Sequence, residues 1–200
     1  MNKSGPNLKL FLYVLLLQFM WPGPALPSQS PTVYLQLSNG LELSLPAQWQ
    51  TNGPKGPLIL EACHWLDDET PGLRLLIYRR SPLPLLSSRQ LEMIQASRDE
   101  FTDRLRAMLE AGRGTETEAG RPAIDSWQGC RSWFQGDLFM VGVAYSWRQN
   151  GRLWQGESIW ILSVRGNYCL AFYWREGMGD YYAPLIRQAL ASVRLREEQS

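Results

Sequence analysis

A predicted run of β-strands in the second half of the chain constrains the fold more than any other feature. Between residues 124 and 174, three pairs of turn-forming residues divide an apolar stretch into four segments. The pairs are Gly136-Asp137, Asn150-Gly151 and Gly166-Asn167. Because such pairs are typical of tight hairpin turns, we predict an antiparallel meander. Its strands are predicted at residues 124–134, 138–147, 153–164 and 168–174.

The registers of this meander decide which side chains share a face. A two-residue turn at Asn150-Gly151 pairs Trp147 with Trp154, and the last turn is predicted to pair Trp160 with Tyr173. One predicted face carries Val141, Val143, Tyr145, Trp147, Trp154, Trp160, Leu162, Val164, Cys169, Ala171 and Tyr173. The other carries Ala144, Leu153, Ile159, Ile161, Leu170, Phe172 and Trp174. Since both faces are apolar, we expect the sheet to be covered on both sides.

Two helices are predicted to provide that cover. Ser87, with Gln90 three residues later, forms a capping-box pattern, and apolar residues at helical spacing continue from there to Ala111. A second apolar stripe at helical spacing runs from Tyr182 to Val193. The predicted fold class is therefore α+β, a three-layer α/β/α sandwich around an antiparallel sheet, with one long helix over residues 88–111.

A hairpin is predicted ahead of these elements, because apolar and polar residues alternate between residues 33 and 45. A two-residue turn would place Leu37 opposite Glu42 and break the apolar face. A three-residue loop at Ser38-Asn39-Gly40 instead pairs Leu37 with Leu41 and gives the glycine the left-handed conformation, so we predict that register. Further strands are predicted at residues 58–66 and 73–79, joined by an acidic turn.

Residues 1–25 are predicted to be a cleaved secretory signal peptide. Two lysines precede an unbroken apolar run at residues 10–17, and small and turn-forming residues follow it. Cleavage is predicted after Ala25, with residues 26–32 as a short linker and residues 33–197 as a single domain. The alternative is an uncleaved membrane anchor, but the apolar run is short against the ~20 residues that span a bilayer. The mature chain is thus expected to be periplasmic or secreted, without stable membrane insertion.

Charge and cysteine content narrow the classes of function. The chain has 20 basic and 19 acidic residues, a near-neutral balance that does not favour binding to nucleic acid. Cys63, Cys130 and Cys169 are widely spaced and odd in number. At most one intramolecular disulfide can form, and the sequence leaves open whether one does or all three thiols stay free.

The order of these elements resembles the Mog1/PsbP-like superfamily, which includes the periplasmic DcrB-type proteins. The resemblance lies in the opening strand with Pro46-Ala47-Gln48-Trp49, the hairpin at residues 58–79 and the central helix. It continues in Gly120-Arg121-Pro122-Ala123 before the meander and in the closing helix that ends at Ala191-Ser192-Val193-Arg194-Leu195. The resemblance implies a role in binding, assembly or chaperone-like activity, and it supplies no shared catalytic residues.

Residues with catalytic potential do not form a recognisable site in the sequence. The single histidine, His64, stands beside an acidic turn, and one histidine with flexible carboxylates is a poor zinc set, so a solvated turn is expected. Cys63 is its neighbour in a predicted strand and points to the opposite face, which does not favour a nucleophile and base pair. A glycoside hydrolase needs a pair of carboxylates close together, and the candidates Glu61, Asp125, Glu157 and Glu176 are scattered along the sequence. We predict no catalytic residue, no metal and no cofactor.

The tip of the hairpin around Asn150 is the one candidate binding site. Trp147 and Trp154 flank it, beside Arg148 and Arg152. The two rings either clasp the hairpin or, together with the arginines, form a protein-binding hot spot. The sequence thus predicts a non-catalytic binding, assembly or chaperone-like protein of the bacterial cell envelope, with an envelope or secretion-system protein as its partner. The alternatives are a carrier of a small apolar ligand and a hydrolase that uses two carboxylates.

Overall fold

In the computed structural model, the predicted meander forms the larger part of a seven-stranded antiparallel sheet. The structure describes residues 31–37, 40–67, 70–79, 85–111 and 124–196. The predicted signal peptide, the first two residues of the three-residue loop in the first hairpin and the motif at residues 120–123 lie outside the described residues.

The described strands and helices follow one another along the chain in an order close to the predicted one. The strands are β1 (Thr32–Gln36), β2 (Leu41–Pro46), β3 (Gln50–Asn52), β4 (Leu58–Asp67), β5 (Thr70–Arg79), β6 (Ile124–Gln135), β7 (Leu138–Gln149), β8 (Arg152–Leu162), β9 (Tyr168–Arg175) and β10 (Arg194–Leu195). The helices are α1 (Ser88–Ala96), α2 (Arg98–Ala111) and α3 (Gly179–Ser192). None of the described helices is long and apolar enough to cross a membrane.

The strands form two sheets. The large sheet has the order β3-β4-β5-β9-β8-β7-β6, and the small sheet has the order β1-β2-β10. Because β9 lies between β5 and β8, the second hairpin and the meander join into one sheet. The chain from Thr32 onward is one compact unit.

Each face of the large sheet is covered, as the two apolar faces of the meander predict. On one face, α3 and the small sheet enclose a core that includes Tyr182, Phe172 and Leu43. On the other face, α1 and α2 pack on Phe139, Val141 and neighbouring apolar residues. The predicted three-layer α/β/α architecture is confirmed, with the small sheet sharing the layer of α3.

A glutamine side chain fastens the end of α3 to the large sheet. The amide nitrogen of Gln135, at the end of β6, donates to the carbonyl oxygens of Leu190, Ala191 and Val193 at 3.1, 3.3 and 3.0 Å. These carbonyls lie at the C-terminus of the helix, beyond the regular helical hydrogen bonds, and they also accept from the Val193 amide and from the Arg194 guanidinium. Gln135 of β6 and the Ser192 hydroxyl, which accepts from the amide of Ser44 in β2 at 2.8 Å, both hold the end of α3 in place.

Two predicted registers are confirmed. Leu37 donates its amide to the carbonyl of Leu41 at 2.9 Å, and Gly40 has φ of 81°. In the meander, Trp147 pairs with Trp154, as the turn at Asn150-Gly151 predicts. Both residues of that turn have positive φ, the signature of a two-residue turn that matches strand twist.

The predicted register of the last hairpin is wrong by four residues. Trp160 pairs with Cys169 rather than with Tyr173, because β8 ends at Leu162 and a five-residue loop follows. The Ser163 hydroxyl accepts from the amides of residues 165 and 166 and donates to the carbonyl of residue 166, which closes this wider loop. Since the shift is an even number of residues, each side chain of the strand keeps its predicted face.

The single long helix predicted over residues 88–111 is also wrong, because a break at Ser97 divides it into α1 and α2. The Ser97 hydroxyl donates to the carbonyl of Met93, and the Ser97 backbone leaves the helical region with φ of −127°. Serine competes with the helix for backbone hydrogen bonds in this way. The capping box of Ser87 and Gln90 at the start of α1 is confirmed.

Candidate functional site

Strand registers bring the predicted tip residues into one row at the end of the large sheet. Trp147 of β7 pairs with Trp154 of β8, and Trp154 pairs with Arg175 of β9. Paired residues in an antiparallel sheet project from the same face. The row therefore presents two indole rings and one guanidinium side by side. The sequence did not predict Arg175 in this row, because the predicted register of the last hairpin was wrong by four residues.

The two tryptophans stack on one another at the base of the hairpin. Their ring centroids are 6.3 Å apart with an interplanar angle of 18°. Trp147 also meets the Tyr173 ring edge to face, at 5.2 Å and 80°. Only 4% of Trp147 is exposed, while Trp154 is half-buried. This is the geometry of a clasp, in which Trp147 is a core residue and Trp154 is the ring nearer to solvent.

A glycine makes room for the clasp. A Cβ atom at Gly156 would come within 2.8 Å of Cδ1 of Tyr173 and 3.0 Å of Cζ3 of Trp147. The Trp147 ring therefore packs directly on the β8 backbone, which no larger residue would permit. The indole nitrogen of Trp147 is buried without a hydrogen-bond partner, so the ring is held by packing alone.

The accessible part of the tip is polar and basic. Arg148, Gln149 and Arg152 are exposed at the ends of the two strands. Arg148 makes an ion pair with Asp125 of β6 at 3.6 Å, and the two side chains are 67% and 42% exposed. Such a surface pair contributes little free energy, and the arginine can exchange it for another acceptor at small cost.

The same face of the large sheet carries a polar cluster that the sequence analysis did not find. Glu61 of β4 accepts two hydrogen bonds from Arg74 of β5, at 2.5 Å and 3.1 Å, and one at 3.4 Å from Asn52 of β3. Burial favours the neutral form of Glu61, but the Arg74 guanidinium outweighs it and holds the pKa of the carboxyl below its ordinary value. The approach of Arg74 to Glu61 depends on the register between β4 and β5, which the sequence did not define.

Cys63 lies next to this cluster and is not activated by it. Burial raises the pKa of the Cys63 thiol, and the Glu61 carboxylate raises it further. Burial likewise raises the pKa of Cys130. All three cysteines are free thiols, with Cys63 and Cys169 buried and Cys130 half-buried. The pKa of Cys63 and that of Cys130 stay raised although Arg74 and Arg106 lie near them, so neither thiol has the lowered pKa of a catalytic thiolate.

His64 packs against α3 rather than against carboxylates. Its Nδ1 lies 3.4 Å from the hydroxyl of Tyr182, and the two rings meet edge to face at 5.8 Å. Burial lowers the pKa of His64. Among the described residues, no group of three or more histidine, cysteine, aspartate or glutamate side chains is placed to hold a metal ion.

The four scattered carboxylates do not converge. Glu61 and Glu157, whose side chains are only 15% and 14% exposed, project from opposite faces of the large sheet and are each ion-paired with an arginine. Asp125 is at the hairpin tip with Arg148, and Glu176 is exposed after β9. Glu157 lies over Gly142, where a Cβ atom would meet its carboxylate at 2.9 Å. Each buried carboxylate thus serves as an acceptor for its arginine.

Comparison of the sequence with protein-family models and with curated proteins gives no match. Comparison of the fold with solved structures does give matches. One is a crystal structure from Bacteroides thetaiotaomicron, with a TM-score of 0.51 and 9% identity over 86% of this chain. The chain spans 50% of the length of that protein.

Two further matches are with proteins of about the same length. The cyanobacterial PsbP protein of Synechocystis, CyanoP, matches with a TM-score of 0.49 and 12% identity, over 84% of this chain and 94% of CyanoP. LpqN of Mycobacterium tuberculosis, which is involved in cell envelope biogenesis, matches with a TM-score of 0.47 and 10% identity, over 84% of this chain and 91% of LpqN. At these identities the likeness concerns the fold alone.

Proposed function

We propose that this chain is an exported, non-catalytic binding or assembly protein of the bacterial cell envelope, and that it contacts its protein partner through the tip of the β7–β8 hairpin. This hairpin tip comprises residues 148–152, with Trp154 and Arg175 behind it. The signal-peptide pattern of residues 1–25 supports export, and the resemblance to DcrB-type proteins supports an envelope role.

The observation that carries the proposal is the stacked pair of tryptophans. Trp147 is fixed in the core by Tyr173 and by the backbone at Gly156, and it in turn fixes the Trp154 ring. A half-exposed tryptophan held in one orientation loses little conformational entropy when a partner covers it. Such rigid aromatic anchors surrounded by polar residues are typical of binding hot spots.

The charge around Trp154 indicates the kind of surface that would bind. Arg148 and Arg152 extend from the tip, and Arg175 lies in the strand beside Trp154. A segment with carboxylate or carbonyl oxygens next to an apolar side chain would satisfy both the arginines and the indole.

Capture from an envelope extract tests this proposal. The chain is exported with its own leader, purified with an affinity tag and used as bait beside a variant that combines Trp154→Ala and Arg152→Ala. The matched control combines Arg89→Ala and Arg187→Ala, two exposed arginines on the helices. We expect the tip variant to lose a partner that the control retains. If the two variants capture the same proteins, the hairpin tip is not the contact surface.

A further inference from the structure

Among the described strands, β1 is the outer strand on one side of the small sheet. Of these strands it pairs only with β2, and residues 32, 33, 34 and 36 are exposed. Val33 and Tyr34 are 46% and 58% exposed, although both are large apolar side chains. An edge strand with free backbone groups and apolar side chains is a template for pairing with another strand.

The other described sheet edges carry protection that β1 lacks. At one end of the large sheet, β3 has only three residues and is followed by Pro54 and Lys55. At the other end, β6 has two register shifts and the charged residues Asp125 and Arg131. In the small sheet, β10 has two residues. β1 has five residues in unbroken register, with no charge, proline or glycine among them, and Pro31 directly precedes it. Features that blunt edge strands thus lie within or beside three of the described edges, whereas β1 has only the flanking Pro31, which removes no backbone amide of the strand itself.

The hydrogen bonds of the first hairpin show which backbone groups of β1 are free. Leu37 donates to the carbonyl of Leu41, the residue it faces across the loop. Because hydrogen-bonded pairs alternate in an antiparallel ladder, Leu35 and Val33 also direct their backbone groups toward β2. Thr32, Tyr34 and Gln36 therefore direct theirs toward the open edge.

We propose that two copies of this chain pair through β1, antiparallel and two-fold symmetric about Tyr34. This register places Tyr34 opposite Tyr34 of the second copy and Thr32 opposite Gln36. All three are residues with outward backbone groups, so the pairing forms about six hydrogen bonds and leaves none of the ladder unpaired. The same surface meets itself, as a closed two-fold dimer requires.

The side chains of β1 are complementary in the same register. Val33 lies opposite Leu35 of the second copy, on the face that continues to the buried side chains of Leu43 and Leu45. Tyr34 is on the other face, which it shares with Ser44 and Glu42 of its own β2. The pairing covers Val33 and joins two three-stranded sheets into one of six strands.

Sedimentation equilibrium of the exported chain tests the dimer. A five-residue strand pair buries little surface, so we expect a weak dimer whose fraction rises with concentration. Tyr34→Pro removes an outward amide without touching the ladder to β2, and Tyr34→Lys places two like charges opposite one another. We expect either change to weaken association by at least about tenfold. Gln50→Lys, on the exposed β3 edge, is the control that adds the same charge.

Disulfide trapping tests the register. The two-fold axis brings the two copies of residue 34 to a Cα separation of about 5.5 Å, within the range of a disulfide, while residues 33 of the two copies are too far apart. We expect Tyr34→Cys to form a covalent dimer under mild oxidation and Val33→Cys and the unsubstituted chain not to. A monomer at every concentration, association unchanged by both Tyr34 substitutions, or equal trapping of Val33→Cys would each overturn the proposal. Because β1 and the hairpin tip are separate surfaces, failure here would not affect the proposed function.

Discussion

Replacing Gly72 with alanine is expected to disturb the contact between β5 and α3. A Cβ atom at this position would lie 2.0 Å from the hydroxyl oxygen of Tyr182 and 2.5 Å from Cγ of Leu66. Tyr182 is fully buried, so its ring cannot move aside without displacing α3. Leu66 is 43% exposed and can turn away. The collision with the tyrosine hydroxyl therefore determines the cost.

The magnitude follows from two opposing effects. Gly72 does not have positive φ, so alanine fits the backbone and by itself would stabilise the strand by about 0.5 to 1 kcal/mol through the unfolded chain. Overpacking of a closed core costs about 1 to 3 kcal/mol, and a 2.0 Å contact places this case at the upper end. We expect a net loss of about 2 kcal/mol, or roughly 4 to 8 °C in Tm for a chain of this size.

A double-mutant cycle with Tyr182→Phe identifies the cause. This change removes the atom that collides, since no other atom of Tyr182 lies nearer than 3.0 Å to the added methyl. It also removes a long hydrogen bond to His64, at a cost of about 0.5 to 1 kcal/mol. In the phenylalanine background we expect Gly72→Ala to cost at least about 1 kcal/mol less than in the parent, by urea unfolding of all four proteins. A single Gly72→Ala variant as stable as the parent, or a cycle without coupling, would refute the packing of α3 on β5 described here.

Three further predictions concern the hairpin tip, the end of α3 and the polar cluster. Trp147→Ala is expected to lower the free energy of unfolding by about 3 to 5 kcal/mol, and Trp154→Ala by less than half of that, because only the Trp147 ring is fully buried. If urea unfolding gives the same loss of free energy for both variants, the clasp is contradicted. Gln135→Glu places a carboxylate next to three carbonyl oxygens at a helix C-terminus, where a negative charge is unfavourable. Thermal unfolding should therefore show the Glu variant to be about 1 to 2 kcal/mol less stable than Gln135→Ala. Glu61 has a lowered pKa in the folded chain, so its contribution to stability is present above its ordinary pKa near 4.5 and is lost as the pH falls through the folded value. Glu61→Gln should therefore flatten the plot of unfolding free energy against pH below about pH 5. An unchanged plot in this acidic range would show that Arg74 does not hold this carboxylate.

The layers and faces of the fold could be predicted because they depend on local patterns. The turn at Asn150-Gly151 allows only a few backbone conformations, so it set the Trp147 and Trp154 pair correctly. The loop after Leu162 is closed by hydrogen bonds of the Ser163 hydroxyl, and no turn motif in the sequence indicates these bonds. The register there was misplaced by four residues, and only the even size of the shift preserved the faces.

Contacts between distant segments could not be predicted in the same way. The pairing of β2 with β10 joins residues about 150 positions apart, and no local signal marks it. The Glu61 and Arg74 ion pair depends on irregular pairing in the second hairpin, where the strands extend to Asp67 and from Thr70 across the predicted acidic turn. The break at Ser97 was only partly predictable from the sequence, since serine weakens a helix without always ending it.

Site-specific photo-crosslinking in intact cells tests the proposed protein contact at the hairpin tip most directly. A photoreactive amino acid replaces Gln149, which is exposed at the tip, or Gln188, which is exposed on α3 and serves as the matched control. We expect the position-149 probe to yield one covalent adduct with an envelope protein, and we expect Trp154→Ala in the same chain to abolish it. Adducts that form equally from position 188, or an adduct at position 149 that survives Trp154→Ala, would contradict a partner contact anchored by the stacked tryptophans.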